Sequence, residues 1–142
     1  MKLKIKLDDF AYTPKRAHST DAGLDLMSPR TISIAPKDSA VIDTGVHVEI
    51  PHGYVGMLKS KSGLNVKHGI QSEGVIDEGY TGSIVAKLYN NGSRTVNLAA
   101  GQKVTQLVIV PCITPELEIV DELENTERGS NGFGAAEYES KL

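Results

Sequence analysis

Short apolar runs recur about every ten residues along this 142-residue chain, and that spacing limits its fold more than any other feature. Residues 31–34, 40–42, 46–50, 54–58, 83–89, 95–98, 104–110 and 117–120 each show the β-branched or alternating pattern of a half-buried strand. Turn formers separate them: Ser28-Pro29, Ala35-Pro36-Lys37-Asp38, Pro51-His52-Gly53, Asn90-Asn91-Gly92-Ser93 and Ala100-Gly101. Many short strands joined by regular turns predict an antiparallel all-β barrel or sandwich. A helix has room only near residues 63–67, for a turn or two opened by Ser60 or Ser62 as a cap.

A chain of this length is one domain and can bury roughly 68 to 70 percent of its unfolded surface. The β domain is expected over residues 1–121, with 122–142 as a flexible arm. Acids crowd residues 121–128, glycines crowd 129–134, and such a tail has too little apolar surface to order itself. Its one large apolar side chain is Phe133, between Gly132 and Gly134. Two readings are open: a frayed terminus, or a mobile arm that closes over a ligand with Phe133 as lid and Arg128 as anion clamp.

Composition removes several function classes. A net charge of −3, two phenylalanines and no tryptophan give neither the basic face nor the stacking platform of a nucleic-acid binder. Any phosphate must therefore be gripped locally. His18, His47, His52 and His68 have no cysteine partners at zinc spacing and read as surface or strand-end residues. Cys112, the single cysteine, lies in the apolar run 108–113 and reads as a small buried hydrophobe in a reducing compartment. No apolar run approaches the roughly 20 residues of a membrane span, and Met1-Lys2-Leu3-Lys4-Ile5-Lys6 alternates charge with apolar residues instead of building a signal-peptide core. The expectation is a soluble cytoplasmic protein with neither membrane nor nucleic acid as partner.

The densest chemical signal is residues 74–82, GVIDEGYTG. The apolar run ends at Val75 and Ile76 and then sets Asp77 where the pattern wants another apolar residue. A charge at a buried strand end costs free energy unless some interaction offsets it, and function is the expected offset. The plain alternative is a turn opened by Asp77 with Glu78 and Gly79, since aspartate readily bonds its own backbone in turns.

Five segments, in order, now look related: residues 22–26 (AGLDL), 60–64 (SKSGL), 74–82 (GVIDEGYTG), 101–107 (GQKVTQL) and 128–134 (RGSNGFG). Their order and spacing resemble the trimeric deoxyuridine triphosphatases (dUTPases) over about residues 18–136. That resemblance implies a jelly-roll β protein forming a homotrimer, with active sites at subunit boundaries and the arm of one subunit covering a site built by others. It further implies Mg2+-dependent hydrolysis of dUTP to dUMP and pyrophosphate.

Roles follow segment by segment. Asp77 is the expected catalytic base, holding a water aimed at the α-phosphorus; Ser60 and Ser62 have no histidine placed by sequence to make either a nucleophile. By resemblance, Gln71, Gly74, Val75, Ile76 and Tyr80 belong to the hairpin that takes uracil, with backbone groups near Val75 and Ile76 imitating a pairing edge. Tyr80 lies under the deoxyribose, where a 2′-hydroxyl would collide, and Val85 walls the pocket. Lys61, Ser62 and Gly63 contact phosphate at the start of a short turn, where backbone N–H groups gather anions. Gln106 and Arg128 complete that shell, and Phe133 with Gly134 closes it. Asp25 acts through water on phosphate-bound Mg2+, a role compatible with a salt bridge at a subunit contact.

The chain also departs from the family pattern. Lys61 stands where an arginine preceded by proline is usual, keeping the charge and losing the bidentate fork. Asn131 replaces a usual glycine, and Ala135 and Ala136 replace small hydroxyl residues. Lys59 and Lys67 are further basic residues nearby, read as solvated surface. Two alternatives stay open: an enzyme of the related dCTP deaminase group, for which no glutamate is placed as base, and a trimer turned nucleotide-switched regulatory binding protein.

Overall fold

The computed structural model describes residues 1–134. Nine strands and one helix follow in order: β1 (Lys4–Leu7), β2 (Gly23–Met27), β3 (Ile32–Ile34), β4 (Ser39–Glu49), β5 (Tyr54–Lys59), α1 (Ser62–His68), β6 (Ile70–Ile76), β7 (Ser83–Asn90), β8 (Val96–Leu98) and β9 (Lys103–Pro111). Seven of them form one antiparallel sheet in the order β1-β4-β7-β6-β5-β9-β2, and β3 pairs with β8 beside it. The all-β jelly-roll expectation is met.

Alternation makes these strands. In β7, Ile84, Ala86, Leu88 and Asn90 turn inward while Val85, Lys87 and Tyr89 turn outward. Ile32 and Ile34 on β3 face Val96 and Leu98 on β8 and join Ile42, Ile70, Leu88 and Val104 in one apolar cluster. A second cluster holds Leu26, Val46, Ile50, Leu58, Ile76, Ile84 and Leu107. Burying one such side chain contributes about 1.5–3 kcal/mol, so either cluster outweighs any surface ion pair.

Residues 40–42 and 46–50 prove to be one strand, β4, interrupted by a bulge: Asp43 pairs with Val85 and His47 with Ser83, so β4 holds two more residues than β7 over that stretch. Residues 117–120 are not a strand. Leu117 and Ile119 are almost fully exposed, and the segment pairs with no strand among the described residues. β1 and β2 were not expected; charged Lys4, Lys6 and Asp25 break their apolar runs, yet pairing with β4 and β9 satisfies their backbones. The helix is close to the expected place, but its N-cap is Lys61 and no side chain caps it. Cys112 is half-buried, with its thiol near the Ile113 carbonyl, not fully buried as expected. No helix among the described residues is long and apolar enough to cross a membrane.

Candidate active site

Asp25 is the one buried carboxylate among the described residues. Its side chain is 3% exposed, with Lys61 Nζ 2.5 Å from Oδ1 and Lys103 Nζ 3.1 Å from Oδ2. Strand register explains the meeting: Asp25 on β2 lies opposite Gln106 on β9, whose next neighbour across is Lys59 on β5, two residues before Lys61. Gln106 Nε2 donates to the Ser60 carbonyl at 2.8 Å and so fixes the turn that carries Lys61. Gly23 leaves the space for it, since a Cβ there would sit 1.9 Å from Gln106 Oε1. Ser60 Oγ accepts the Ser72 N–H at 2.9 Å, the Ser72 and Thr105 hydroxyls meet at 2.9 Å, and Thr105 Oγ1 donates to the Lys59 carbonyl. A satisfied polar network of this kind rigidifies what stands on it. Beyond it the N–H groups of Ser62 and Gly63 open α1, ahead of its first internal bond from Asn65 N–H to the Lys61 carbonyl.

The hairpin of β6 and β7 is parted at its far end. The two strands pair only from Ile70 with Asn90 to Ser72 with Leu88. Past that point β6 keeps β5 and β7 keeps β4. Running the register on would set Val75 opposite Val85; instead both are exposed along the split, and the backbone edge of β6 facing it lacks a strand partner. Gly74 lets Leu58 pack close behind β6. At the head of the split, residues 77–80 turn, with the Tyr80 N–H donating to the Asp77 carbonyl. The Tyr80 hydroxyl crosses Gly82, where a Cβ would lie 2.5 Å from it, to donate to the Ser83 carbonyl at 2.8 Å. The half-exposed ring is thereby held over Gly82 by its own hydroxyl.

Asp77 itself is exposed in that turn and not buried at a strand end. The turn alternative describes its placement: β6 stops at Ile76, and no burial cost has to be offset. Next to it, Glu78 ties the turn to the β4–β5 connection, accepting the Gly53 N–H at 2.8 Å and meeting His52 Nδ1 at 3.1 Å. Those two bonds, His52 first, hold the Glu78 carboxyl below its usual range.

The structure gathers Asp25, Lys61, Ser62, Gly63 and Gln106 at the Lys59 end of β5, and Ile76, Asp77, Tyr80 and Val85 around the split toward the other end, with Gly74 and Val75, opposite Leu58 and Met57, between them. Glu73, the register partner of Lys59, is four residues from Asp77, about 13 Å along a strand. Gln71 lies near the closed end of the hairpin, where Asn91 donates to its side chain. Arg128 Nε donates to the Asn131 carbonyl within its own turn, and Phe133 is fully exposed with φ +54°. In the single chain the described part of the arm, residues 122–134, thus joins neither cluster. Ala135 and Ala136 lie outside the described residues.

A family model described as dUTPase matches residues 10–136. The chain belongs to the dUTPase family. It is 42% identical to the deoxyuridine 5′-triphosphate nucleotidohydrolase of Gloeothece citriformis, over 95% of this chain and 96% of the relative. Among solved structures it is similar to the Staphylococcus bacteriophage 80alpha dUTPase with dUPNHPP, at 36% identity and a TM-score of 0.88, covering 94% of this chain and 97% of the other. The dUTPase of phage phi11 of S. aureus, whose structure is described with a structural Mg(II) ion, matches at 37% identity and TM-score 0.80, covering 88% of this chain and all of that one.

Against the dUTPase pattern, the donor set suits a metal held chiefly by substrate. Among the described residues no three His, Cys, Asp or Glu side chains gather into a cage. Both Asp25 oxygens already face ammonium groups, so direct ligation would displace a lysine, whereas a carboxylate's remaining lone pairs can accept from a metal-bound water. Sequence reading missed Lys103 as the second partner of Asp25, although it sits inside the fourth segment. It also missed the Ser60–Ser72–Thr105 network and the tether at Glu78; their partners are far apart in sequence, and no local pattern marks them.

Proposed function

We propose that this chain hydrolyses dUTP to dUMP and pyrophosphate, limiting uracil incorporation into DNA and supplying the precursor of thymidylate. The observation that carries the reading is the parted β6–β7 hairpin, with unpaired backbone edge at Val75 and Ile76, Tyr80 clamped at its head and Asp77 beside it. Uracil enters the split and takes hydrogen bonds from that edge, while cytosine would leave buried polar groups unpaired, a discrimination that reaches about 10⁴-fold in sites of this type. Tyr80 supports the deoxyribose and excludes a 2′-hydroxyl, and Val85 walls the pocket. Asp77, exposed in its turn, holds the attacking water and accepts its proton as the α-phosphorus is attacked.

The second cluster is the phosphate grip. Ser62 and Gly63 offer N–H groups, Lys61 and Lys103 supply charge around Asp25, and Gln106 sets the turn that carries Lys61. Asp25 is the residue that would meet a substrate-held magnesium ion, through water, and such an ion would supply charge neutralisation. Asp77 stands four residues along the chain from the register partner of Lys59, about 13 Å, which favours a site whose base and phosphate grip come from different copies of the chain. The reading is therefore a homotrimer in which the hairpin of one protomer faces the grip of the next and the arm, with Arg128 and Phe133, closes from another. The exposed, unpaired residues 117–120 support an arm that crosses between protomers.

The test is pyrophosphate release from micromolar dUTP with Mg2+, with UTP, dCTP and dTTP alongside. Release confined to dUTP is expected; none from dUTP would refute the reading, and ammonia from dCTP would replace it. A regulatory role is favoured by one observation: the 80alpha phage dUTPases are described as controlling transfer of virulence genes by a G protein-like mechanism. Capture of a host protein that dUTP switches on or off tests that role for this chain.

A further inference from the structure

His47 stands between two acceptors. Its Nδ1 lies 2.8 Å from the Thr81 carbonyl oxygen and its Nε2 lies 3.1 Å from Asp8 Oδ2. A neutral imidazole carries one N–H and one lone pair, so it can satisfy only one of these partners and turns a lone pair on the other. The imidazolium donates to both. The fold builds the arrangement: the β4 bulge brings the Gly45 carbonyl to the Asp8 N–H at 2.9 Å, which places the Asp8 carboxylate over the ring. Both side chains are largely covered, at 22% and 34% exposure.

Thr81 follows Tyr80 in the turn that carries Asp77. Pinning its carbonyl, together with the Tyr80 bonds to Asp77 and Ser83, fixes the turn on the side away from the Glu78 tether. We infer that His47 and Asp8 are positioning residues for the reaction: an imidazolium–carboxylate pair holds the Thr81 carbonyl and thereby sets Asp77 and Tyr80 for water and deoxyribose. This inference rests on the dUTP-hydrolysing reading above and adds to it a dependence on protonation well away from the reacting atoms.

The charges around the ring can be named. Lys6 faces His47 directly across from β1, and Lys4 is paired with Glu49 at 3.4 Å, one inward-outward repeat along β4. Asp43, before the bulge, accepts the Ser83 hydroxyl and the Gly45 N–H, the hydroxyl foremost in holding its carboxyl below the usual range. On the hairpin side, Glu78 is committed to His52 and Gly53. Lys6 disfavours the charged ring, but the Thr81 carbonyl first and the Asp8 carboxylate next raise it above the ordinary imidazole value of 6.5. The sign follows: the clamp is fully present below the ordinary value and is lost as pH rises through the raised one.

Asp8→Asn separates this from a merely structural contact. The carboxamide can donate an N–H to the lone pair of neutral Nε2, so the clamp persists without a proton. The measurements are kcat and KM for dUTP from about pH 5.5 to 8.5, the NMR titration of the His47 ring, and amide exchange at Tyr80, Thr81 and Gly82, in wild type, Asp8→Asn and His47→Gln. In wild type, KM should rise about five- to tenfold and hairpin exchange should quicken as His47 loses its proton. Asp8→Asn should show flat profiles, and His47→Gln should be impaired without dependence on pH in this window. Matching pH profiles in wild type and Asp8→Asn, or a His47 ring titrating at or below the ordinary imidazole value, would overturn the inference. Should no form hydrolyse dUTP, the functional reading falls, and the exchange data alone decide the clamp: pH-dependent in wild type and flat in Asp8→Asn upholds it, equal in both overturns it.

Discussion

Asp25 and Asp77 are two aspartates in opposite surroundings, and their surroundings divide their work. Asp25 is buried between Lys61 and Lys103, where its charge is already matched. Removing it in Asp25→Ala leaves two ammonium groups without a counter-charge, and stability should fall by about 3 kcal/mol, the low end for a buried pair because both lysines reach solvent. Denaturant unfolding at fixed protein concentration checks this. Asp77 is exposed, so Asp77→Asn should leave unfolding unchanged and keep binding of a non-hydrolysable dUTP analogue while lowering kcat by about 10² to 10⁴. Residue identities were legible in the sequence because acids and glycines stand out against apolar strands. Their environments were not: the pattern put Asp77 at a buried strand end, whereas burial belongs to Asp25, whose partners lie 36 and 78 positions away.

At the level of elements, the strands that could be read were those with inward-facing Ile, Leu and Val at every second position, such as β3, β4, β7 and β8. β1 was not legible because its four residues are all exposed and it is held by its pairing with β4 alone. The parting of β6 from β7 was equally hidden, since it shows only in the registers of four strands, β4 to β7, and no local pattern marks where pairing stops. That parting makes the candidate uracil pocket, so filling it should abolish selectivity before stability: Val85→Phe is expected to raise KM for dUTP at least tenfold with little change in thermal midpoint, read by steady-state kinetics beside calorimetry. The arm behaves in the opposite way from a core element. Deleting the residues after Arg128 should cost most of the activity and almost no thermal stability, because Phe133 is fully exposed and packs on nothing among the described residues. Full activity in the truncated protein would remove the lid from the account.

The whole molecule is where the single chain is most incomplete. In the proposed reading one protomer's uracil pocket is served by another's phosphate grip, and Leu117, Ile119 and Leu123 are exposed in the single chain. The proposed closed trimer would complete each site from a neighbour, and sedimentation should then give three times the chain mass of 15.2 kDa. Mixing inactive Asp77→Asn with inactive Lys61→Ala through reversible dissociation should restore part of the activity, since some mixed sites pair an intact hairpin with an intact grip; no recovery would place both clusters' function within one chain. The central claim is attack by an Asp77-held water on the α-phosphorus of dUTP. Hydrolysis in H₂¹⁸O tests it most directly: the label should appear in dUMP, and Asp77→Asn should slow its appearance by about 10² or more. Label in pyrophosphate, or an unslowed Asp77→Asn, would contradict it.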